Sequence, residues 1–425
     1  MSTSTPQPPP APTPAPQAGG RPPFLPALEG VRAVAALGII LTHAAFQTGN
    51  DTGAVVNRIM ARTDFFVPVF FALSGFLLWR RHVSDFSFSA AGRRRWVDYH
   101  VKRLGRIMPA HLVLVVVVVA LFPVAGDPGV LQIVANLLLL QNYVPDGMVG
   151  GLTHLWSLCV EMFLYLAMPL LALVVGRRRR AVRVVAIVTV GVLSALWPFL
   201  AGPRTGDLNP HIMPWAFFGS FCVGLLAAET EGWLAEVGGT TGAGRAAGTR
   251  GTWPDTVRRW AGRRPLWVAL AAGVLVLASV DGPEGLTAAS PAEFFRRTTC
   301  GVVFAATLVV PVALAPRSRF LESRVMQLLG RWSYSVFLWH MAVLSLVFPL
   351  LGISLFTGGY AVLLLVLAVT VGLSVPVAAL SYALVEDPAR RAVSRWWGSR
   401  GAVKGAEEAE EAEGAEKAEK AGEAR

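Results

Sequence analysis

Arg32 and His43 lie eleven residues apart in the apolar run EGVRAVAALGIILTHAAF, residues 29–46. In an α-helix this spacing is about three turns, so the two side chains share one face within about 20° and lie about 16 Å apart along the axis. Ionisable side chains inside a membrane span are costly and mark functional sites. The guanidinium could bind an anion, and the imidazole could accept a proton. The alternative is an arginine that extends to the lipid headgroups and a histidine hydrogen-bonded to a neighbouring helix.

A second pair, His154 and Glu161, lies seven residues apart in THLWSLCVEMFLY, residues 153–165. Two helical turns place both side chains on nearly the same face. A carboxylate inside a span needs a partner, and a histidine is a natural one. The pair could therefore transfer a proton to or from a reacting group. The alternatives are an ordinary hydrogen bond between helices and an interfacial position for His154. His340, in a later apolar run, is a further candidate for the same cavity.

Two arginines enter the third apolar run together. In YHVKRLGRIMPAHL, Arg103 and Arg106 are three residues apart and lie on one helical face. Two forked guanidinium groups on one face form a good binding site for phosphates. The alternative is that they only follow the excess of basic residues on the cytoplasmic side of membrane proteins.

These side chains need membrane-spanning helices to position them. The chain has 425 residues, of which 54% are hydrophobic and 15% charged, and its mean hydropathy is +0.52. A soluble chain of this size carries more charge, and runs such as HLVLVVVVVALF lack the polar face of helices in a soluble bundle. The sequence therefore predicts an all-α, polytopic membrane bundle. Ten apolar runs are candidate spans: about residues 27–47, 64–80, 104–124, 155–176, 181–201, 212–228, 265–281, 294–316, 334–352 and 359–385.

The basic residues distinguish the two sides of this bundle. Clusters of arginine and lysine between the spans all fall on one side when both termini are cytoplasmic, so we predict cytoplasmic termini. Residues 1–23 are predicted to be a disordered, Pro-rich extension and residues 393–425 a low-complexity acidic tail. Residues 24–392 form the predicted membrane domain, with a flexible cytoplasmic loop at about residues 229–264.

The formal net charge of +11 suits the anionic surface of a lipid bilayer or an anionic cytosolic ligand. Nucleic acid is not an expected partner, because the basic residues lie in membrane loops and not on a soluble module. Cys159, Cys222 and Cys300 are odd in number and lack metal-like spacing. The sequence therefore predicts neither a disulfide framework nor a metal site, and it leaves the oligomeric state open.

The chain resembles the acyltransferase-3 family of integral membrane acyltransferases over essentially residues 25–391. Six sequence motifs carry this resemblance, and they follow one another along the chain in the order of the family. One position departs from the family pattern: Pro68 stands where many members carry an acidic residue, and Asp64 lies about one turn earlier. The motifs are LPALEGVRAVAALGIILTH in span one, FFALSGFLL in span two, RLGR before span three, HLWSLCVEMFLY in span four, GRWSYSVFLWH in span nine and VEDP at the end of span ten.

The resemblance implies transfer of an acetyl or other acyl group from cytosolic acyl-coenzyme A, without a permanently bound cofactor. The acceptor is a hydroxyl group of a carbohydrate or another small molecule, and the location is the plasma membrane of a bacterium. We expect His43 to remove the hydroxyl proton and Glu161 to orient His43. His154 is the alternative base, or a ligand of the acceptor. The phosphates of coenzyme A are expected on three arginines, Arg32, Arg103 and Arg106.

Other functions and several acceptors stay open at this point. A transporter or flippase could use His43, Glu161 and His154 as a proton relay across the membrane. A non-catalytic membrane sensor could have the same fold. For an enzyme, the acceptor classes are exported or cell-envelope polysaccharide, a lipid-linked sugar, and a secondary metabolite such as a macrolide. A covalent acyl-serine is not expected, because Ser74 and Ser157 have no base that the sequence reveals.

Overall fold

A computed structural model describes residues 24–82, 90–201, 208–240, 253–280 and 289–397 of the chain. In these residues all regular structure is helical. The predictions for residues 1–23, and for the tail beyond residue 397, lie outside the described residues. The helices are α1 Pro26–Gln47, α2 Val55–Ala61, α3 Phe66–His82, α4 Ala90–Leu121, α5 Val130–Leu137, α6 Trp156–Val175, α7 Arg180–Ala201, α8 Phe218–Thr240, α9 Trp253–Ala261, α10 Arg264–Ser279, α11 Pro291–Leu314, α12 Arg324–Leu351 and α13 Tyr360–Ser381.

The chain is a polytopic membrane protein, as predicted. Eight of its described helical segments are long and apolar enough to cross a bilayer, and the bent pair α9 and α10 makes nine when counted as one span. The remaining predicted span, about residues 212–228, corresponds to the start of α8, which carries Glu229 and Glu231. The eight segments are Pro26–Gln47, Val55–His82, Arg95–Leu121, Thr153–Val175, Arg180–Ala201, Pro291–Leu314, Arg324–Leu351 and Tyr360–Trp397.

Two predicted boundaries are wrong. The loop expected at about residues 229–264 is largely helical, because α8 continues to Thr240 and α9 follows, while residues 241–252 lie outside the described part of the chain. The continuation of α8 is stabilised at Glu229, which binds two arginines of α7. The tail expected from residue 393 begins later, because the last helix runs through a π turn to Trp397. There the indole nitrogen of Trp397 donates to Asp98 of α4.

Glu229 joins one end of α3, α7 and α8. Its side chain is only 5% exposed. One carboxylate oxygen accepts hydrogen bonds from the indole nitrogen of Trp79 at 2.7 Å and from Nε of Arg183 at 2.5 Å. The other lies 3.2 Å from Nε of Arg180. A buried carboxylate is stable only when its oxygens are paired in this way.

Helices α1 and α12 pack along each other with little space between their backbones. Gly330 of α12 lies directly against the backbone of Glu29 in α1, where a Cβ atom would collide with the carbonyl group of Glu29. Small residues of this kind let membrane helices approach closely. The close approach also brings later positions of the two helices together, and these include His43 and His340.

Candidate active site

Three histidines meet in the bundle. His43 belongs to α1, His340 to α12, and His154 to a 3-10 turn, Thr153–Leu155, that precedes α6. Nδ1 of His43 lies 2.9 Å from Nε2 of His340, and these two rings are stacked with centroids 5.1 Å apart. The ring of His154 lies edge-on to that of His340, with centroids 4.9 Å apart. His340 is fully buried and His154 is 3% exposed. The sequence indicated His340 as a candidate for the same cavity, without predicting a contact among the three rings.

Backbone carbonyl groups of α12 hold two of these rings. Nδ1 of His340 donates to the carbonyl oxygen of Phe337 at 2.7 Å. Nε2 of His154 donates to the carbonyl oxygen of Leu338 at 3.0 Å. The other ring nitrogen of His154, Nδ1, is buried and has no hydrogen-bond partner among the described residues. Because a neutral imidazole that donates through one nitrogen accepts through the other, Nδ1 of His154 is an available acceptor.

A cavity of about 510 Å³ adjoins the histidines, and we call it the outer cavity. His43 and His154 lie in its wall. An ion pair between Asp64 and Arg297 of α11 also lines it. No sequence spacing connects these two charged residues. Seven of the other lining residues are aromatic or polar: Phe46, Asp51, Trp156, Asn209, His211, Phe217 and Phe294.

A second, smaller cavity of about 80 Å³ contains the three arginines that were expected together, Arg32, Arg103 and Arg106. We call it the arginine cavity. Nη1 of Arg32 lies 3.5 Å from Glu29, and Nε of Arg106 lies 3.9 Å from the buried carboxylate of Glu386. Three guanidinium groups around one cavity provide a binding site for a polyanion.

The two cavities adjoin. They share Ile39, Val67, Ser157 and Phe337 in their walls. Helix α1 is continuous from Pro26 to Gln47, so the eleven-residue spacing of Arg32 and His43 is preserved, and it separates them by about 16 Å along the helix. One ligand could therefore place an anionic end in the arginine cavity and a reactive end beside the histidines.

The predicted roles of Glu161 as a partner of His43 or of His154 are wrong. Glu161 lines the arginine cavity, where one of its oxygens accepts from the hydroxyl of Ser74 at 2.6 Å and also from the hydroxyl of Tyr165. The physical reason is local. His154 lies in the 3-10 turn before α6, and the seven residues to Glu161 separate the two side chains by about 10 Å along the axis, so that they line different cavities.

The transporter alternative used His43, Glu161 and His154 as a proton relay, and the structure places the first and last of these in the outer cavity. The carboxyl group lies instead in the arginine cavity, bound to Ser74 and Tyr165. No group of three or more histidine, cysteine, aspartate or glutamate side chains within the described ranges could hold a metal ion. The ionisable groups that line the two cavities include imidazole, guanidinium and carboxylate groups.

The position of this chain among known proteins accords with that chemistry. A family model described as an acyltransferase domain matches residues 25–380. The chain is 28% identical over 408 residues to the protein named acyltransferase MdmB from Streptomyces mycarofaciens, and the match covers 87% of this chain and 93% of that protein. No solved structure matches the chain.

Two further relatives match over part of their length. The O-acetyltransferase OatA of Staphylococcus aureus is 28% identical over 164 residues, which is 35% of this chain and 25% of that protein. The peptidoglycan O-acetyltransferase OatA of Listeria monocytogenes is 25% identical over 192 residues, or 41% of this chain and 28% of that protein. The matches to the OatA proteins therefore concern about a quarter of each relative.

Proposed function

This chain belongs to the acyltransferase-3 family, and we propose that it transfers an acetyl or other acyl group from acyl-coenzyme A to a hydroxyl group. The observation that supports this function best is the pair of adjoining cavities. One carries three guanidinium groups and the other an imidazole about three helical turns away on the same helix. We place the protein in the bacterial plasma membrane, as its relatives are bacterial.

The arginine cavity suits the donor. Coenzyme A carries its phosphates at one end and its thioester at the other end of an extended pantetheine arm. Arg32, Arg103 and Arg106 would bind the phosphates through charge-assisted hydrogen bonds, which are roughly twice as strong as neutral ones. The arm would then pass Ile39 and Val67, which line both cavities, and the thioester would lie beside His43.

His43 is the proposed general base. Its imidazole removes the proton of the acceptor hydroxyl while the oxygen attacks the thioester carbonyl. The tetrahedral intermediate then collapses, the carbon–sulfur bond breaks, and the thiolate of coenzyme A takes the proton from the imidazolium of His43. His154 lies in the wall of the same cavity, where its ring helps to orient the acceptor. Proton removal of this kind contributes roughly 10²- to 10⁴-fold in rate.

The outer cavity suits a small acceptor. Its volume of about 510 Å³ lies within the range of pockets that enclose a ligand of drug size, roughly 300–1,000 Å³. Aromatic rings such as Trp156 and Phe217, together with hydrogen-bonding groups such as Asn209, suit a sugar or the hydroxyl-bearing face of a secondary metabolite. A sugar unit at the end of an envelope glycan fits the same description.

The test uses purified protein in detergent with acetyl-coenzyme A labelled in the acetyl group. Candidate acceptors come from mass spectrometry of glycans and metabolites of a deletion strain, compared with its parent for a missing acyl mass. We expect the label to move to an acceptor hydroxyl. A transporter would leave the label on coenzyme A with every acceptor, and that result would refute the proposal.

A further inference from the structure

We propose that His340 is a positioning residue that determines which nitrogen of His43 acts as the base. The inference rests on the proposed function, since it concerns the same proton transfer. The supporting observation is a chain of two hydrogen bonds, from His43 to His340 and from His340 to the backbone of α12. The two histidines are 297 residues apart in sequence, and no spacing predicted their direct contact.

The direction of both hydrogen bonds follows from the backbone carbonyl group of Phe337, which ends this chain of hydrogen bonds. The carbonyl oxygen of Phe337 only accepts, so Nδ1 of His340, 2.7 Å away, carries a proton and donates. In a neutral imidazole the second nitrogen then has a lone pair, and Nε2 of His340 is an acceptor. Nε2 lies 2.9 Å from Nδ1 of His43, which must therefore donate.

This tautomer determines which nitrogen of His43 can act as the base. Because Nδ1 of His43 carries the proton, Nε2 of His43 has the lone pair, and this is the nitrogen that can accept a proton from the acceptor. His340 itself is fully buried behind His43, and it does not line either cavity described above. Its role is to hold the tautomer and the plane of His43, as the stacked rings also indicate.

The arrangement also satisfies both ring nitrogens of the buried His340. Ring nitrogens inside a membrane bundle are costly when unpaired, and both nitrogens of His340 have partners. Replacement of His340 by an apolar residue would leave Nδ1–H of His43 without its acceptor. The imidazole of His43 could then carry its proton on Nε2 instead of Nδ1. In that tautomer Nε2 has no lone pair to accept the proton of the acceptor hydroxyl.

The test compares His340→Leu with His340→Gln. Leucine is similar in size but cannot accept a hydrogen bond, whereas the side-chain oxygen of glutamine can accept from His43. Met341→Leu, a conservative change at the next residue of α12, is the matched control. Two nucleophiles are used, so that the natural acceptor is not required. Water needs removal of a proton as it attacks acetyl-coenzyme A, and hydroxylamine attacks the thioester through a nitrogen lone pair without an enzymic base.

We expect His340→Leu to lower kcat for hydrolysis roughly 100-fold, within the range of general-base catalysis, with KM for acetyl-coenzyme A unchanged within about twofold. Formation of acetohydroxamate from hydroxylamine, after subtraction of the rate measured without protein, should stay within about threefold of the wild-type rate. His340→Gln should recover at least about tenfold of the lost hydrolysis, and Met341→Leu should behave as wild type. A structural role would lower both reactions together and would not distinguish glutamine from leucine.

The inference is overturned when His340→Leu hydrolyses acetyl-coenzyme A at the wild-type rate, or when both reactions fall equally. His43→Ala is measured in parallel to separate the two proposals. Loss of hydrolysis in His43→Ala with full activity in His340→Leu contradicts only the role of His340. Full hydrolysis in His43→Ala contradicts the role of His43 in the proposed function. If the wild type reacts with neither nucleophile, the same variants are compared with the acceptor identified by mass spectrometry.

Discussion

Arg106 provides a quantitative test of the donor site. Its guanidinium lines the arginine cavity and lies 3.9 Å from Glu386, whose side chain is 2% exposed. Arg106→Ala should therefore have two separable effects. Loss of a hydrogen bond to a charged phosphate costs about 1.5–3 kcal/mol, which weakens coenzyme A binding roughly 10- to 100-fold. Loss of the partner of a buried carboxylate also destabilises the fold, by about 3–5 kcal/mol when no other group compensates.

A second substitution separates these effects. Glu386 also accepts from the hydroxyl of Ser335 at 2.9 Å, so Glu386→Gln keeps a polar partner and removes the charge. In the double variant Arg106→Ala/Glu386→Gln, thermal stability in detergent should return most of the way to that of wild type. The affinity for coenzyme A should stay low, because the guanidinium is still absent.

The assay is titration calorimetry with coenzyme A and with pantetheine, which lacks all the phosphates. The Kd for coenzyme A should rise roughly 10- to 100-fold in Arg106→Ala and in the double variant. The Kd for pantetheine should be the same in wild type and in both variants. The reasoning is refuted when the variants bind coenzyme A as tightly as wild type does. The reasoning is also refuted when the affinity of the variants for pantetheine falls by the same factor as their affinity for coenzyme A.

Three further predictions concern single residues. Glu161→Gln should lower kcat less than tenfold, because an amide oxygen still accepts from Ser74 and the histidines do not depend on Glu161; a loss above 100-fold in kinetic assays would contradict this. His154→Phe should raise KM for the identified acceptor with little change in Kd for coenzyme A, and an unchanged acceptor KM would argue against an acceptor contact. Glu229→Leu should lower the free energy of unfolding by about 3–5 kcal/mol, and the thermal midpoint measured in detergent should fall with it. An unchanged midpoint would show that the buried ion pairs contribute little.

The sequence predicts the parts of this molecule that depend on distances along one helix. Apolar runs of span length identify the membrane helices, because a bilayer requires about 20 apolar residues. The spacing of Arg32 and His43 converts directly into a shared face, since α1 has no interruption between them. A shared face is not enough for His154 and Glu161, because seven residues separate them by about 10 Å along the axis and they line different cavities.

Contacts between distant segments are not encoded in any spacing. His340 contacts His43 only because α1 and α12 pack closely at Gly330, and Asp64 meets Arg297 of α11 across 233 residues. Sequence periodicity describes the face of one helix and says nothing of which helix lies opposite. The continuation of α8 beyond Glu229 has the same origin, since its ion pairs come from α7.

The central claim is that His43 removes a proton from the acceptor while acyl-coenzyme A is held by the arginines. Its most direct test is to measure, in one preparation of His43→Ala, both the Kd for coenzyme A and the rate of acetyl transfer to the identified acceptor. We predict an unchanged Kd within about twofold and a transfer rate at least roughly 100-fold below that of wild type. Transfer at the wild-type rate in His43→Ala would contradict the account.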